Sequence, residues 1–340
     1  MTRTGPRTVL VTGATGFVGR HLVPRLLDGG AQVVLALRTA GALRRAFPHF
    51  ETDPRVRSVV VGDVGADTRW DRALDGADAV VHLAARAHVL DDVAPDPEAE
   101  FDRVNAAGTR ALAQAAAAGA VRQFVLASSV GAVATTHHGV VDDRTPCRPD
   151  TPYGRSKLAA ERALRAAADG SGMTWTVFRP PLVYGPGNPG NMERLAHLIQ
   201  SGLPLPLGAV RNRRSLVYVG NLVDAVARSL GHPGAAGRTF LISDGEDVST
   251  AALAERIAGH LGRPYRSVPV PLALLRLAGR AGDAVQAATG RRLPLSSDVV
   301  VRLAGSLAVD PTPLMEALEW APPFTMEEGL SRTFAAPPPP

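Results

Sequence analysis

Short apolar runs alternate with helical patterns along the first half of the chain. The apolar runs, which are typical of buried strands, cover residues 8–11, 32–37, 56–61, 79–83, 122–127 and 174–178. Helical periodicity follows at residues 21–27 and again over the alanine-rich stretch 98–118. Strands that alternate with helices usually pair side by side, so the pattern predicts an α/β fold with a parallel, doubly wound sheet.

The first strand runs into a glycine-rich turn, TGATGFVG, and then into the first helix. Gly13 would allow the tight turn, Gly16 would let the backbone approach a pyrophosphate, and Gly19 would let the helix pack closely. The helix N-terminus, which includes Phe17 and Val18, would then face the phosphates. A purely structural turn is the alternative. The position between a strand and a helix favours a dinucleotide site in a Rossmann-type domain.

The pattern becomes less regular after the sixth apolar run, with proline-rich turns and short helical pieces. We therefore predict a dinucleotide-binding domain over residues 1–178, to which residues 212–244 return. A smaller, discontinuous C-terminal substrate lobe is predicted from residues 179–211 and 245–334. Residues 335–340 end in four prolines and are predicted to form a disordered tail.

The end of the second apolar run bears on the choice of cofactor. A site selective for NAD usually has an acid here for the adenosine ribose, but the sequence reads Leu37-Arg38. Arg38 could pair with the 2′-phosphate of NADP, stack on adenine or remain solvated. The sequence therefore predicts a nicotinamide cofactor and leaves NAD and NADP open.

Other residues at the carboxyl ends of the predicted strands complete the predicted cofactor site, because doubly wound sheets bind ligands at that edge. Asp63 could accept a hydrogen bond from adenine or cap a turn. The small Ala84 and Ala85 would let the backbone pass close beneath the cofactor. The remaining predicted cofactor contacts are Val64, Leu83, Asn105 and Pro180.

The segment TPYGRSK contains the only lysine of the chain, Lys157, among 37 basic residues. Thr151 and Pro152 are typical of a helix start, and a spacing of four places Tyr153 and Lys157 on one helix face. An ammonium group beside a phenol stabilises the phenolate and lowers a pKa that is ordinarily about 10. We therefore predict that Tyr153 is a general base, rather than part of a solvated helix face.

The net charge of +5 is compatible with nucleic-acid binding, but the distribution of the charge is not. The arginines are scattered, with no basic run longer than RNRR at residues 211–214. Only 5% of residues are aromatic, so base-stacking platforms are scarce. We predict no nucleic-acid partner.

Cysteine usage and hydropathy narrow the class of protein further. Cys147 is the only cysteine, which excludes an internal disulfide and a cysteine-rich metal site, and no metal is predicted. No run of 18 or more apolar residues is present, and the N-terminus lacks the apolar stretch of a signal peptide. We therefore predict a soluble, cytoplasmic protein without a membrane partner.

Several motifs, taken in order, resemble those of the extended short-chain dehydrogenase/reductase family, in particular its nucleotide-sugar epimerases and dehydratases. The motifs are TGATGFVG, GDV, HLAA, NAAGT, SSVGAV, YGRSK, RPPLVYGPG and RRSLVYVGNLVDA. Within the family, the chain is most similar to the bacterial UDP-sugar 4-epimerase-like branch of surface-polysaccharide synthesis. That branch also holds 4-keto-sugar reductases of the UDP-N-acetylquinovosamine type.

The resemblance implies a catalytic set of three residues. Tyr153 would be the general base, and Lys157 would be its electrostatic partner and would hold the nicotinamide ribose. Ser129, the second serine of SSVGAV, would hydrogen-bond the reacting sugar oxygen, or else cap a turn at the strand end. For Ser128 the turn-capping role is favoured.

The resemblance also implies contacts to a nucleotide sugar. Asn191 and Arg214 fall where the family contacts the UDP moiety, and a guanidinium suits a pyrophosphate. Arg302 lies roughly where a second phosphate-binding arginine occurs. Leu182 stands where many UDP-hexose epimerases carry asparagine, so the predicted sugar pocket differs from the pocket of that subgroup.

The implied function is 4-epimerisation of a UDP-hexose or UDP-N-acetylhexosamine through transient oxidation at C4. A 4-keto-sugar nucleotide reductase or dehydrogenase needs the same three residues and remains open. A non-catalytic dinucleotide-binding sensor on the same fold is an alternative of a different class. Dimers that pack two helices across a two-fold axis are common in the family, so a homodimer is expected.

Overall fold

The computed structural model describes residues 8–87, 96–188, 190–289 and 296–334. The strands, in chain order, are β1 Thr8–Thr12, β2 Gln32–Leu37, β3 Val56–Val60, β4 Ala79–His82, β5 Gln123–Ala127, β6 Val140–Val141, β7 Thr174–Arg179, β8 Leu182–Tyr184, β9 Arg214–Tyr218, β10 Arg238–Leu241, β11 Asp247–Val248 and β12 Ala308–Val309. The α-helices are α1 Phe17–Asp28, α2 Ala42–Ala46, α3 Asp71–Leu74, α4 Pro97–Phe101, α5 Gly108–Ala118, α6 Pro152–Ala168, α7 Asn191–Gln200, α8 Val219–Ser229, α9 Thr250–His260, α10 Leu272–Thr289, α11 Ser297–Ala304, α12 Thr312–Leu318 and α13 Met326–Phe334. The predicted tail at 335–340 lies outside the described residues.

Seven of these strands run parallel in one sheet, in the order β10-β7-β5-β4-β1-β2-β3. The first strand pairs with β2 on one side and with β4 on the other, so the strand order reverses at this point. All of β4, and all of β1 after Thr8, is buried, which explains their continuous apolar sequences. The predicted parallel, doubly wound sheet is confirmed. Its switch point lies between β1 and β4, where such sheets bind ligands.

Helices cover both faces of this sheet. Val9 of β1 belongs to one hydrophobic core together with Leu22 of α1. The next residue, Leu10, belongs to a second core with Leu112 of α5 and Leu164 of α6. Successive side chains of a strand point to opposite faces, so β1 is packed between the two helical layers. The α6 helix, which carries the predicted catalytic tyrosine and lysine, therefore has a fixed position over the sheet.

The helix predicted at residues 98–118 contains an irregularity that periodicity does not reveal. It consists of α4, a π-helical turn at Asp102–Ala107 and α5, without an interruption between them. A π-helical turn adds a residue to the helical repeat and is frequent at functional sites. This one contains Asn105, a predicted cofactor contact.

Smaller sheets lie outside the main one. The strands β8, β9 and β11 form a three-stranded sheet, and β6 pairs with β12. Of residues 212–244, which the sequence predicts to return to the first domain, β10 joins the main sheet beside β7, whereas β9 pairs with β8 and β11. None of the helices in the described part of the chain is both long and apolar enough to cross a lipid bilayer.

Candidate functional site

The predicted glycine turn lies between β1 and α1, against the segment that follows β4. Gly13 has φ +67°, and a β-carbon there would lie 2.6 Å from the amide nitrogen of Ala84. Gly16 caps α1, and its N–H donates to the Gly13 carbonyl at 3.0 Å. The other predicted residues of this turn begin the helix: Phe17, Val18 and Gly19. Predicted cofactor residues from two strand ends are thus brought together.

A chain of buried hydrogen bonds fixes the carboxyl ends of β1 and β4. The Ala84 N–H donates to Thr12 Oγ1 at 3.2 Å, and Thr12 Oγ1 lies 2.6 Å from His82 Nδ1. His82 Nε2 lies 3.1 Å from Thr109 Oγ1, whose hydroxyl donates to the Asn105 carbonyl at 2.6 Å. Every group is satisfied if His82 is neutral with its proton on Nε2. Burial lowers the pKa of His82 to about 3, which agrees with this neutral form.

The side chain of Asn105 connects the loop after β4 to α6. Its Oδ1 accepts from the Arg86 N–H at 2.8 Å. Its Nδ2 donates to the Arg86 carbonyl at 3.1 Å and to Ser156 Oγ at 2.9 Å. Asn105 therefore positions the two segments that carry Ala85 and Tyr153, in addition to any contact with a cofactor.

Tyr153 and Ser129, which come from separate motifs, meet at the start of α6. Both side chains lie beside Gly131, where a β-carbon would be 3.3 Å from Ser129 Oγ and 3.9 Å from Tyr153 Cδ1. The Ser129 hydroxyl also accepts from the Gly131 N–H at 3.0 Å. Thr151 caps α6 as predicted, with its Oγ1 accepting from the Gly154 N–H at 3.1 Å. Ser129 thus caps the turn at the end of β5 and contacts the phenol, so its two interpretations are compatible.

A glycine after the tyrosine makes this contact possible. A β-carbon at Gly154 would overlap the carbonyl oxygen of Gly131. The 3-10 turn Val130–Ala132, which follows Ser129, therefore packs directly on α6. From the opposite side, the Pro180 carbonyl accepts from the first N–H of that turn at 3.0 Å. This predicted cofactor residue thus fixes the backbone next to Ser129.

Lys157 lies one helical turn after Tyr153 and is only 3% exposed. Its Nζ donates to the Ala127 carbonyl, at the end of β5, at 2.5 Å. Burial lowers the pKa of Lys157 to about 8, and the carboxylate of Glu161 opposes this shift. The ammonium group is therefore enclosed at the edge of the sheet where the predicted cofactor residues lie.

The pKa of Tyr153 shifts in the direction opposite to the prediction. Burial raises the pKa of Tyr153, and the neighbouring Ser129 hydroxyl lowers it by less. The sequence predicts that Lys157 lowers this pKa, but in the chain alone the ammonium binds the Ala127 carbonyl. The chain alone therefore holds a neutral phenol at neutral pH.

Glu161, fully buried one turn beyond Lys157, is a residue that the motifs do not reveal. It accepts hydrogen bonds from Arg179 Nε at 2.9 Å and Nη2 at 2.6 Å, and from Ser128 Oγ at 2.6 Å. Ser128 thus donates to a buried carboxylate instead of capping a turn. A signal was present in the sequence, because Tyr153, Lys157 and Glu161 are spaced by four and share one helix face.

Arg38 and Asp63 pair with each other at the ends of β2 and β3. Arg38 Nε lies 2.8 Å from Asp63 Oδ1, and both side chains are largely exposed. Val64 packs against the start of α5, where a β-carbon at Gly108 would lie 2.5 Å from Val64 Cγ1. The structure therefore brings together three predicted cofactor residues, with the arginine and the carboxylate already partnered.

The Arg214 side chain contacts Arg302 at the main-chain carbonyl of Arg302. Arg214 Nη1 donates to the carbonyls of Arg302 at 2.8 Å and Gly305 at 3.0 Å, which uses two of its five N–H donors. Burial lowers the pKa of Arg214. The guanidinium of Arg302 donates to the Asp298 carbonyl within α11 at 3.3 Å. Arg214 thus secures the end of α11, and its predicted phosphate contact stays a prediction.

Asn212, inside the basic RNRR run, holds the same helix end. Its Nδ2 donates to the carbonyls of Leu303 at 3.1 Å and Gly305 at 2.9 Å. Thr250 Oγ1 also donates to the Leu303 carbonyl, at 2.7 Å. The third predicted substrate residue, Asn191, begins α7, and its side chain lies outside the described part of the structure.

The residues at the carboxyl edge of the sheet suit a dinucleotide and a proton transfer. A glycine turn with no room for a β-carbon at Gly13 opens α1, and helix N-termini attract phosphates. Tyr153, Ser129 and Lys157 provide a phenol, a hydroxyl and an ammonium group that can exchange a proton with a bound hydroxyl. No group of three or more His, Cys, Asp or Glu side chains in the described segments is placed to hold a metal ion.

Comparison with known proteins assigns these motifs to a family. Residues 9–243 match the NAD dependent epimerase/dehydratase family. The chain is 37% identical over 337 residues to UDP-glucose 4-epimerase of Vibrio cholerae, which covers 97% of this chain and 95% of that protein. It is 30% identical over 327 residues to N-acetyl-alpha-D-glucosaminyl-diphospho-ditrans,octacis-undecaprenol 4-epimerase of Escherichia coli O157:H7, covering 96% of this chain and 93% of that protein.

A solved structure agrees with these matches. The UDP-glucose 4-epimerase of Thermus thermophilus in complex with NAD superposes with a TM-score of 0.71 at 26% identity, over 96% of this chain and 97% of that one. The family match spans well over half of the chain and includes the glycine turn, Ser129, Tyr153 and Lys157. The resemblance drawn from the motifs is confirmed. The chain belongs to the NAD dependent epimerase/dehydratase family, within the extended short-chain dehydrogenase/reductases.

Proposed function

We propose that this chain is a nucleotide-sugar 4-epimerase that acts on a UDP-hexose or UDP-N-acetylhexosamine through transient oxidation at C4. The observation that carries the proposal is the placement of Ser129 and Tyr153 side by side around Gly131, with the buried Lys157 one helical turn away. These groups share a sheet edge with the turn at Gly13, so a proton acceptor and a dinucleotide cradle belong to one site. The Vibrio and Escherichia relatives, both named 4-epimerases, support C4 as the reacting position.

The residues divide the chemistry between them. Tyr153 takes the proton of the sugar 4-hydroxyl, and Ser129 hydrogen-bonds the same oxygen. When bound, an oxidised nicotinamide would supply a hydride acceptor for C4 and an additional positive charge. In the chain alone only the Ser129 hydroxyl opposes the burial that raises the Tyr153 pKa, so the positive charge that favours the phenolate comes with the bound cofactor. Tyr153 returns the proton when the 4-keto sugar is reduced on its other face, so the full cycle consumes neither a proton nor an electron pair.

We infer NAD, rather than NADP, as the cofactor. A 2′-phosphate next to Arg38 would have to displace the carboxylate of Asp63, which lies 2.8 Å from Arg38 Nε, and would be repelled by it. A ribose diol meets no such repulsion. Mass spectrometry of the ligand released from the purified chain should find NAD, and NADP would contradict the inference.

Substrate binding by Asn191, Arg214 and Arg302 remains part of the proposal, as does a homodimer. The arrangement of Arg214 supports its role, because the guanidinium is partly buried and keeps three N–H donors beyond those bound to carbonyls. A guanidinium held in this way can face a pyrophosphate at little further cost in side-chain entropy.

The direct test is incubation of the purified chain with UDP-glucose or UDP-N-acetylglucosamine, without added reductant. The proposal predicts a mixture of 4-epimers, read by nuclear magnetic resonance. The absence of interconversion, together with NADPH consumption on a 4-keto sugar nucleotide, would instead identify a reductase. Cofactor binding without either reaction would identify a sensor.

A further inference from the structure

The long helix α10 leaves an apolar face uncovered. It packs on the rest of the chain through one buried face, formed by Leu275, Gly279 and Gly282. A second stripe repeats at intervals of four and three residues, which keeps its members on one side of a helix. The members of this α10 face are Leu274, Ala278, Ala281, Val285 and Ala288, with Leu277 beside them. Leu274 is 56% exposed and Leu277 is 64% exposed, so no described element covers them.

Other exposed apolar side chains are concentrated in the same part of the chain. Leu203 is 65% exposed and Val268 is 45% exposed, and the Val268 N–H donates to the Leu205 carbonyl at 2.9 Å, which joins their two segments. Val301 of α11, the helix that packs on α10, is 51% exposed. Among the described residues, the large exposed apolar side chains outside residues 198–301 are Val60 and Val140. Exposed apolar side chains that share one helix face, as on α10, indicate an interaction site.

The net charge of the whole chain lies in this same region. Residues 261–302 contain seven arginines and two aspartates, a net charge of +5. The whole chain contains 37 basic and 32 acidic residues, also +5, so the rest of the chain holds 30 of each and is neutral. Two of the seven arginines, Arg276 and Arg280, are exposed on α10. The excess of basic over acidic residues is therefore concentrated in residues 261–302, although the arginines themselves occur along the whole sequence.

We propose that the α10 face, with Arg280 at its edge beyond Leu277, docks the chain peripherally on an anionic lipid bilayer. An amphipathic helix lies in the membrane interface with its apolar face at the acyl boundary, and arginine side chains reach the lipid phosphates from its edges. Electrostatics favours this occupant over a second copy of the chain. The described residues of this region expose five arginines and two aspartates, so two copies repel each other and an anionic bilayer attracts one. The contact is a docking surface, since the described helices include none that spans a bilayer.

Vesicle co-sedimentation of the purified full chain tests the proposal. Binding is expected to vesicles of phosphatidylcholine with phosphatidylglycerol, to weaken as salt is raised, and to be absent with phosphatidylcholine alone. Because each arginine near an anionic surface contributes roughly fivefold to binding, Arg280→Ser should weaken it by roughly fivefold. Arg276→Ser, on the side of α10 away from this face, should weaken it less. Leu274→Asp with Leu277→Asp should abolish it.

The matched control is Val60→Asp, which places a charge on a side chain that is 53% exposed in a different part of the chain. This variant should bind vesicles like the wild type. Thermal unfolding and turnover of a soluble nucleotide sugar should be unchanged in all these variants, so the result does not depend on the proposed function. Failure to bind phosphatidylglycerol vesicles, or equal binding by the Leu274/Leu277 variant, would overturn the proposal. Self-association that disappears in that variant would also overturn it and identify a second copy as the occupant.

Discussion

The phenol of Tyr153 and the ammonium of Lys157 have opposite pKa shifts with one physical cause. Burial favours the neutral form of each group, so it raises the Tyr153 pKa and lowers the Lys157 pKa to about 8. A bond to the Ala127 carbonyl and the charge of Glu161 keep the lysine mostly protonated at neutral pH. Burial therefore disfavours the charged form of both groups in the chain alone. The charges of a bound cofactor and substrate can offset that cost.

Removal of the phenolic oxygen should stop turnover and leave cofactor binding intact. Tyr153→Phe removes the proposed base, so kcat should fall by about 100-fold to 10,000-fold, the usual contribution of a positioned base. Released cofactor should remain equal to that of the wild type. Tyr265→Phe is the matched control, since its buried hydroxyl has no hydrogen-bond partner within the described structure. Unchanged turnover in Tyr153→Phe would contradict the assignment.

The buried lysine should leave a signature in the pH dependence of stability. Between pH 8 and 10.5 the unfolded chain holds the Lys157 proton and the folded chain does not, so raising the pH stabilises the folded state. Lys157→Met removes this linkage. The difference in unfolding free energy between Lys157→Met and the wild type should therefore change by about 3 kcal/mol across this window, with the variant favoured more at the lower pH. Urea denaturation at pH 7 and above pH 10 measures it, and a constant difference would count against a buried Lys157.

Among the helices and strands, α6 is held in place by two ion pairs, one before and one after Lys157 along the helix. Near its start, Arg155 pairs with the exposed Glu98 of α4 at 2.7 Å. Further along, the buried Glu161 pairs with Arg179 of β7 at 2.6 Å. The two pairs have similar geometry and very different exposure, so they separate the effect of burial from the effect of the contact.

Loss of the buried carboxylate should be far more destabilising than loss of the exposed one. Glu161→Gln leaves Arg179 buried without a counter-charge, which should cost about 3–5 kcal/mol. Glu98→Gln, on the exposed pair, should cost at most about 1 kcal/mol. Replacement of both Glu161 and Arg179 by methionine should recover much of the stability, because a buried pair can be exchanged for apolar groups. Urea denaturation of the four proteins tests this, and equal losses in the two single variants would refute it.

The glycine turn at the start of α1 offers a comparison of the same kind. Gly13 and Gly262 have φ angles of +67° and +62°, but only Gly13 has backbone atoms where a β-carbon would be. Gly13→Ala should therefore lose cofactor binding, whereas Gly262→Ala should keep it and lose only about 1 kcal/mol to backbone strain. Thermal shift with added NAD is the readout, and a wild-type shift in Gly13→Ala would exclude this turn as the cofactor site.

At the scale of the whole molecule, the features predicted from the sequence are those encoded locally. The limits of β2, the cap at Thr151 and the turn at Gly13 follow from short stretches of residues with strong backbone preferences. The partners of Arg214 could not be predicted, because they are main-chain carbonyls, which every residue has. The Glu161–Arg179 pair was also hidden, since it joins a helix to a strand and depends on how the two pack. Long-range packing therefore determines the ion pairs and hydrogen-bond partners of the site, whereas local sequence determines which chemical groups the site contains.

Buried polar contacts also join parts of the chain that are distant in sequence. Asp244, which follows the main-sheet strand β10, accepts from the Tyr184 hydroxyl at 2.8 Å and from Asn221 Nδ2 at 2.7 Å. Asn221 Nδ2 in turn donates to the Phe324 carbonyl at 2.8 Å. Burial raises the pKa of Asp244, because removing the carboxylate from water is unfavourable. The hydrogen bonds from Tyr184 and Asn221 offset part of this cost.

We propose that the hydride removed from the sugar returns to the same carbon without leaving the site. UDP-glucose or UDP-N-acetylglucosamine labelled with deuterium at C4, incubated with the purified chain and no added cofactor, tests it most directly. We expect a mixture of 4-epimers in which both sugars keep the deuterium at C4. Release of the label into solvent, or conversion of the sugar only when a reduced nicotinamide is supplied, would contradict it.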